Sequence, residues 1–134
     1  MAIQYSVTVN NAQLDSKETT IGTAPVMRIY SGSMPANCAT ASSGTKLTED
    51  ALPSDWMNAA ASASKTKLGT WTLNGITGGT AGYFRIYDST MTTCHMQGTV
   101  TATGGGGDMT LDNTSIATSQ VITVNTFTIN SGNT

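Results

Sequence analysis

Apolar and polar residues alternate near the start of the chain. Side chains of an extended strand point to opposite faces in turn, so a period of two places all the apolar groups on one face. The pattern predicts a strand over residues 3–9 with one buried face. Its apolar positions are Ile3, Tyr5, Val7 and Val9.

A second pattern is a five-residue block that occurs twice, at 26–30 and at 83–87, each time followed by turn-forming residues. Both copies contain Arg-Ile-Tyr, and both place an arginine between two apolar residues. Strand alternation puts Met27 and Ile29, and likewise Phe84 and Ile86, on a core face. The arginines and tyrosines then share the other face, which predicts comparable places on adjacent or facing strands. These polar-face residues are Arg28, Tyr30, Arg85 and Tyr87.

Between the alternating segment 3–9 and the repeated block at 26–30, the spacing of apolar residues no longer has a period of two and favours a short helix. Asn10 or Asn11 can cap its start, the helix is expected to run to about Thr20, and Gly22 is a typical stop. The residues expected on or near one side are Ala12, Leu14 and Ile21.

The rest of the chain predicts short strands separated by turns and loops. Over residues 120–130 the apolar parity shifts, which predicts a bulge or bend near Asn125. About eight short antiparallel strands with one short N-terminal helix, in a single domain over 1–134, predict an all-β fold, a jelly-roll-like β-sandwich. The other expected strands are 46–48, 68–73, 92–100 and 109–111, with turns at 75–82 and a hairpin tip at 104–107, and with loops at 31–45 and 58–64.

Composition narrows the functional classes. Only 10% of residues are charged, the net charge is −2, and the six basic residues are scattered. Nucleic-acid binding draws on clustered Lys and Arg, so direct nucleic-acid contact is not expected. Leu, Ile, Val and Phe number only 22, against 25 Thr and 14 Gly, which indicates a thin core and a neutral surface suited to short-range contacts.

The N-terminus lacks the pattern of a secretion signal, and no apolar run is long enough to span a membrane. Synthesis in the cytoplasm is therefore expected. Cys38 and Cys94 are the only cysteines. Two cysteines in a cytoplasmic product are more often free thiols, and a disulfide between them is the alternative.

No residue constellation predicts catalysis, cofactor binding or a metal site, so the chain is not expected to be an enzyme. Cys94 and His95 are neighbours and would face opposite ways on a strand, which disfavours a shared metal or a nucleophile-base pair. Glu49 and Asp50 are interpreted as a solvated turn. The glycine run 104–107 lacks the following Lys-Ser/Thr of a phosphate loop.

Trp56 is the one large aromatic residue outside a clear strand parity. It is either a core residue or an anchor at a protein interface, where Trp is enriched. It is the candidate interface anchor of this chain.

An ordered set of short segments resembles a family of small virion proteins of tailed bacteriophages. Among them are cement, or head-decoration, proteins. The match covers nearly the whole chain. Its segments are Ala12–Asp15, Ile21–Gly22, Arg28–Ala36, Gly44–Leu47, Phe84–Ser89, Gln97–Val100, Asn113–Val121, Phe127–Ile129 and Gly132–Asn133.

The resemblance implies a jelly-roll structural protein that coats the exterior of the mature capsid. Its partner would be the major capsid protein, whose neighbouring subunits it would bridge. Apart from the resemblance, the thin core, the neutral surface and the missing catalytic groups favour self-association as a homodimer. It would be made in the bacterial cytoplasm and reside in the virion, with no membrane partner. The alternative is a carbohydrate- or receptor-binding module of a phage tail, which requires exposed aromatic platforms. The only candidates are Trp56, Trp71 and Tyr87.

Overall fold

The computed structural model describes residues 3–131, and it is mostly β with one helix and several antiparallel sheets, a β-sandwich-like arrangement. The resembling segment Gly132–Asn133 lies outside the described residues. The elements are α1 (Val7–Ile21), β1 (Val26–Ser31), β2 (Lys46–Ala51), β3 (Ser64–Thr66), β4 (Trp71–Asn74), β5 (Gly79–Tyr87), β6 (Cys94–Ala102), β7 (Met109–Leu111), β8 (Ser115–Ile116), β9 (Val121–Val124) and β10 (Thr128–Asn130).

The strand predicted over residues 3–9 is wrong, because the helix begins at Val7. Ser6, and not Asn10 or Asn11, caps it: Ser6 is extended, and its Oγ accepts a hydrogen bond from the Val9 N–H at 3.2 Å. Local alternation favours a strand here, but no partner strand pairs with this segment within residues 3–131. A capped helix instead satisfies the backbone internally.

The end of the helix is confirmed at Gly22, whose N–H donates to the Glu18 carbonyl at 2.9 Å. Gly22 has a φ of +94°, which glycine adopts without a Cβ clash. Leu14 and Ile21 are buried as expected, whereas Ala12 is exposed and Asn10 takes a buried place.

The repeated block forms the centre of the main sheet, whose strand order is β2-β1-β5-β6-β7, with β8 pairing β5. In the antiparallel β1–β5 ladder, Arg28 lies directly opposite Arg85, and Ile29 lies opposite Phe84. The predicted equivalence of the two arginines is confirmed.

The connection at 104–107 is not a hairpin tip, because β6 and β7 run parallel. The carboxylate of Asp108 accepts hydrogen bonds from the backbone N–H of Thr99, at 2.9 Å, and from its hydroxyl, at 3.0 Å. Gly107 N–H also donates to Thr101 Oγ1 at 2.9 Å. These hydrogen bonds hold the chain beside Thr99 just before β7 begins. Met109 can therefore pair with Val100, and β7 runs in the same direction as β6.

The apolar parity shifts near Asn125 as predicted, but the expected bulge or bend is a break between two separate strands. β9 pairs with β4 and β10 pairs with β3, each antiparallel and each in a separate two-stranded sheet. The strand expected over 68–73 begins only at Trp71, and β5 already begins at Gly79, inside the expected turn.

One core cluster joins the main sheet to the β4–β9 pair, through apolar side chains of β1, β5, β4 and β9. A chain of aromatic contacts crosses it. Trp71 packs against Trp56 at 6.0 Å between ring centroids and against Phe127 at 5.0 Å, and Phe127 meets Phe84 edge-on at 5.6 Å. Large aromatic side chains thus fill much of the core that scarce aliphatic residues leave.

Candidate functional site

Three of the four polar-face residues of the repeated block are buried, and Arg28 is half-buried. Arg85 is only 2% exposed, and its guanidinium donates to the carbonyl oxygens of Asn37 and Thr40 and to Gln97 Oε1 at 2.8–3.2 Å. Arg28 donates from Nε to Glu49 Oε2 at 2.6 Å and lies over the Tyr87 ring at 4.4 Å. These interactions give both arginines structural partners within the fold.

Residues 32–45 form a loop, the covering loop, that closes over this face. Tyr83 Oη donates to the Ser43 carbonyl at 2.6 Å and accepts from the Ser43 N–H at 2.9 Å. Gln97 Nε2 donates to the Pro35 carbonyl at 2.8 Å. We call the face that carries Arg28, Tyr30, Arg85 and Tyr87 the Arg-Tyr face. The sequence predicted the loop, but no sequence pattern indicated that the loop covers this face.

A buried lysine that no sequence pattern marked links the helix to β3. Lys65 is 2% exposed, and its Nζ lies 2.7 Å from Asp15 Oδ1, 2.7 Å from Glu18 Oε2 and 2.8 Å from the Asn58 carbonyl. The hydrogen bond from Lys65 lowers the pKa of Asp15. The three bonds match the three ammonium protons, which makes Lys65 a structural cation.

Trp56 lies in the core and is 1% exposed. Its indole Nε1 donates to the Gly22 carbonyl at 3.0 Å, so it joins the end of the helix to the Trp71 cluster. Of its two interpretations, the structure supports the core residue. As a candidate interface anchor it presents almost no surface to a partner in this conformation.

The other residues considered for chemistry are dispersed. His95 is exposed on β6. Glu49 and Asp50 lie on β2 rather than in a turn, which corrects the expectation. Hydrogen bonding from Lys46 at 2.7 Å, together with the nearby charge of Arg28, lowers the pKa of Glu49. Asp50 accepts from the backbone and side-chain amides of Asn74 at 2.8 and 2.9 Å, so each carboxylate has its own structural partners.

Four of the eight exposed large apolar side chains in the described part of the chain lie within residues 3–9. Ile3 is 70% exposed, and Tyr5, Val7 and Val9 are also exposed. We call these four side chains the N-terminal apolar surface. Tyr5 is the one exposed aromatic side chain among residues 3–131. Ile3 and Tyr5 precede the helix, whereas Val7 and Val9 lie two residues apart in α1 and point to different sides of it. Exposed apolar groups concentrated in one short segment are candidates for a contact site.

Two of the open clefts that border the helix lie against β6. One of about 380 Å³ lies between α1, β6 and β10 and includes Lys17, Met96 and Ile129 in its lining. The second, of about 300 Å³, shares Lys17 and Met96 and includes His95. The titratable side chains are Lys17 with Asp108 in the first cleft and Lys17 with His95 in the second. Ser16 also lines the second cleft, and its hydroxyl donates to the Gln13 carbonyl at 2.7 Å.

Within residues 3–131, no group of three or more His, Cys, Asp and Glu side chains is placed to hold a metal ion. The helix in this part of the chain is neither long nor apolar enough to cross a membrane. Comparisons with protein-family models, with curated proteins and with solved structures found no match to this chain.

Proposed function

We propose that this protein is a capsid cement protein of a tailed bacteriophage, which binds the exterior of the shell and bridges neighbouring major capsid subunits. We also propose that its strands belong to a jelly-roll-like sandwich. The ordered resemblance described above supports the class. The observation that carries the proposal is the N-terminal apolar surface, which offers Ile3, Tyr5, Val7 and Val9 to a partner.

The rest of the molecule is consistent with a structural protein that binds its neighbours through short-range contacts. The charged side chains of the Arg-Tyr face and of the Lys65 cluster are engaged within the fold. A surface with few charges favours short-range apolar and hydrogen-bonded contacts over electrostatic attraction. A bridging protein gains strength from many repeated weak contacts, and self-association as a dimer would double the contacts of each unit.

The alternative, a tail module that binds carbohydrate or a receptor, has less support. Trp56, Trp71 and Tyr87, the three candidate platforms, are all buried. The number of copies in a purified particle separates the two functions, because a cement protein coats the shell and a tail module is present in far fewer copies.

The test uses capsids prepared without the protein, to which it is added back at low and at high salt. We expect binding that persists at high salt and raises the temperature at which the shells rupture, because apolar contacts are not screened by ions. Failure to bind, or binding that leaves the rupture temperature unchanged, contradicts the proposal.

Substitutions in the N-terminal apolar surface test whether this surface contacts the capsid shell. Replacing Ile3 and Tyr5 together by Ser should weaken shell binding at least tenfold while the protein stays folded. Val121→Ser is the matched control, because Val121 is 63% exposed on β9 and lies outside the N-terminal apolar surface. Equal effects of both changes would place the contact elsewhere.

A further inference from the structure

Cys94 lies on the face of the main sheet that the covering loop closes. The β5–β6 register shifts after Ile86, which pairs with Met96, so that Tyr87 pairs with Cys94 and His95 is the extra residue. Directly opposed residues share a face. The shift therefore turns Cys94 toward the face of Tyr87 and Arg85.

Cys38 lies in the segment of the covering loop that Arg85 holds. The carbonyl oxygens of Asn37 and Thr40, on either side of Cys38, accept from Arg85 Nη2 at 3.2 and 2.8 Å. The Pro35 carbonyl is held by Gln97, two pairs along β6 from Cys94. The loop backbone around Cys38 is thus fixed against β5 and β6, where Cys94 begins its strand.

Burial, and next the hydrogen-bonding contact with the Cys38 thiol, raise the pKa of Cys94 to about 11. Both cysteines are half-buried and free in this structure. Cys94 Sγ also donates to the Met96 carbonyl at 3.4 Å, which orients the sulfur.

We infer that Cys38 and Cys94 form a redox-sensitive pair that closes into an intramolecular disulfide and locks the covering loop over the Arg-Tyr face. The oxidant is a low-molecular-weight disulfide such as oxidised glutathione. One cysteine thiolate attacks a sulfur of that disulfide, which forms a mixed disulfide and releases one glutathione thiolate. The second cysteine thiolate displaces the other glutathione.

In total, the two cysteine thiols lose two protons and two electrons, and the oxidised glutathione becomes two molecules of reduced glutathione. The bond joins residues that are far apart in the chain, and cross-links that close long loops restrict the unfolded chain most. The inference concerns this chain alone and does not rest on the proposed capsid function.

The experiment treats the reduced, full-length protein with oxidised glutathione at about pH 8.5, where exchange is faster because more thiolate is present. We expect a monomer that has lost the mass of two hydrogens and no longer reacts with a thiol-labelling reagent. Its melting temperature should rise by roughly 5–10 °C and return to the starting value after reduction.

Cys38→Ser and Cys94→Ser are the matched controls. Each keeps one thiol, so each should stop at the mixed disulfide, with the added mass of one glutathione and without the rise in melting temperature. A native protein that also stops at the mixed disulfide, keeps both thiols, forms a covalent dimer, or cyclises without a rise in melting temperature would overturn the inference.

Discussion

At the scale of single residues, the fold depends on a buried lysine whose ammonium group has a full set of partners. Removing a lysine from water is costly unless each ammonium proton meets an acceptor. Desolvation acts to lower the pKa of Lys65, but the hydrogen bonds and charges of Asp15 and Glu18 outweigh it and the pKa is raised. Lys65 is therefore charged in the folded protein and links α1 to β3.

We expect Lys65→Met to lower the free energy of unfolding by about 1–3 kcal/mol, because the change removes the hydrogen bonds between α1 and β3. Urea denaturation measures this change in the free energy of unfolding. Lys17→Met is the control, since Lys17 is exposed on the same helix and its loss should cost less than about 0.5 kcal/mol. Equal losses in the two variants would contradict a special role for Lys65.

The same contact predicts a dependence on pH. The pKa of Asp15 is lowered in the folded state, so its interaction stabilises the fold above the unfolded pKa of about 4 and is lost as the pH falls through the folded value. Below pH 4 the stability of Lys65→Met should therefore fall less steeply than that of the native protein. Parallel curves from urea denaturation across pH 2–6 would refute this assignment.

At the scale of elements, the main sheet is covered on one face by the covering loop and on the other by the core cluster with the β4–β9 pair. Close packing on both faces restricts the size of the side chains that its strands can carry. A Cβ added at Gly82 on β5 would fall on the backbone carbonyl of Gly32, at the start of the covering loop. The glycine thus allows the loop to lie directly against the strand.

We expect Gly82→Ala to destabilise the protein by about 2 kcal/mol or more, because a backbone atom cannot move aside as a flexible side chain does. Gly78→Ala is the matched control. Its added Cβ would meet the Ile116 carbonyl at 3.6 Å, an ordinary contact. Urea denaturation of both variants measures the difference, and similar stabilities would show that the loop is not packed on β5 as described.

At the scale of the whole molecule, one helix accompanies ten short strands in the described part of the chain. The helix has 15 of the 134 residues, about 11%. We expect a far-ultraviolet circular dichroism spectrum dominated by antiparallel β structure. A helix content above about a quarter would contradict the fold.

Several features of this fold follow from local sequence. The alternation in 26–30 and 83–87 predicted which residues face the core, because strand side chains alternate wherever the strand lies. Gly22 marked the end of the helix, since a positive φ favours glycine. The change of parity near Asn125 marked the break between β9 and β10.

Other features were decided only by the tertiary structure. Residues 3–9 alternate like a strand, yet Val7 starts a helix because no neighbouring strand supplies hydrogen bonds within the described residues. Strand alternation put Arg85 on the face opposite the core, and no sequence pattern marked Lys65 as buried. A distant loop and a helix bring the acceptors that bury these two cations. Periodicity identifies the apolar face of an element, whereas the partner that covers each face is set by contacts between residues far apart in the chain.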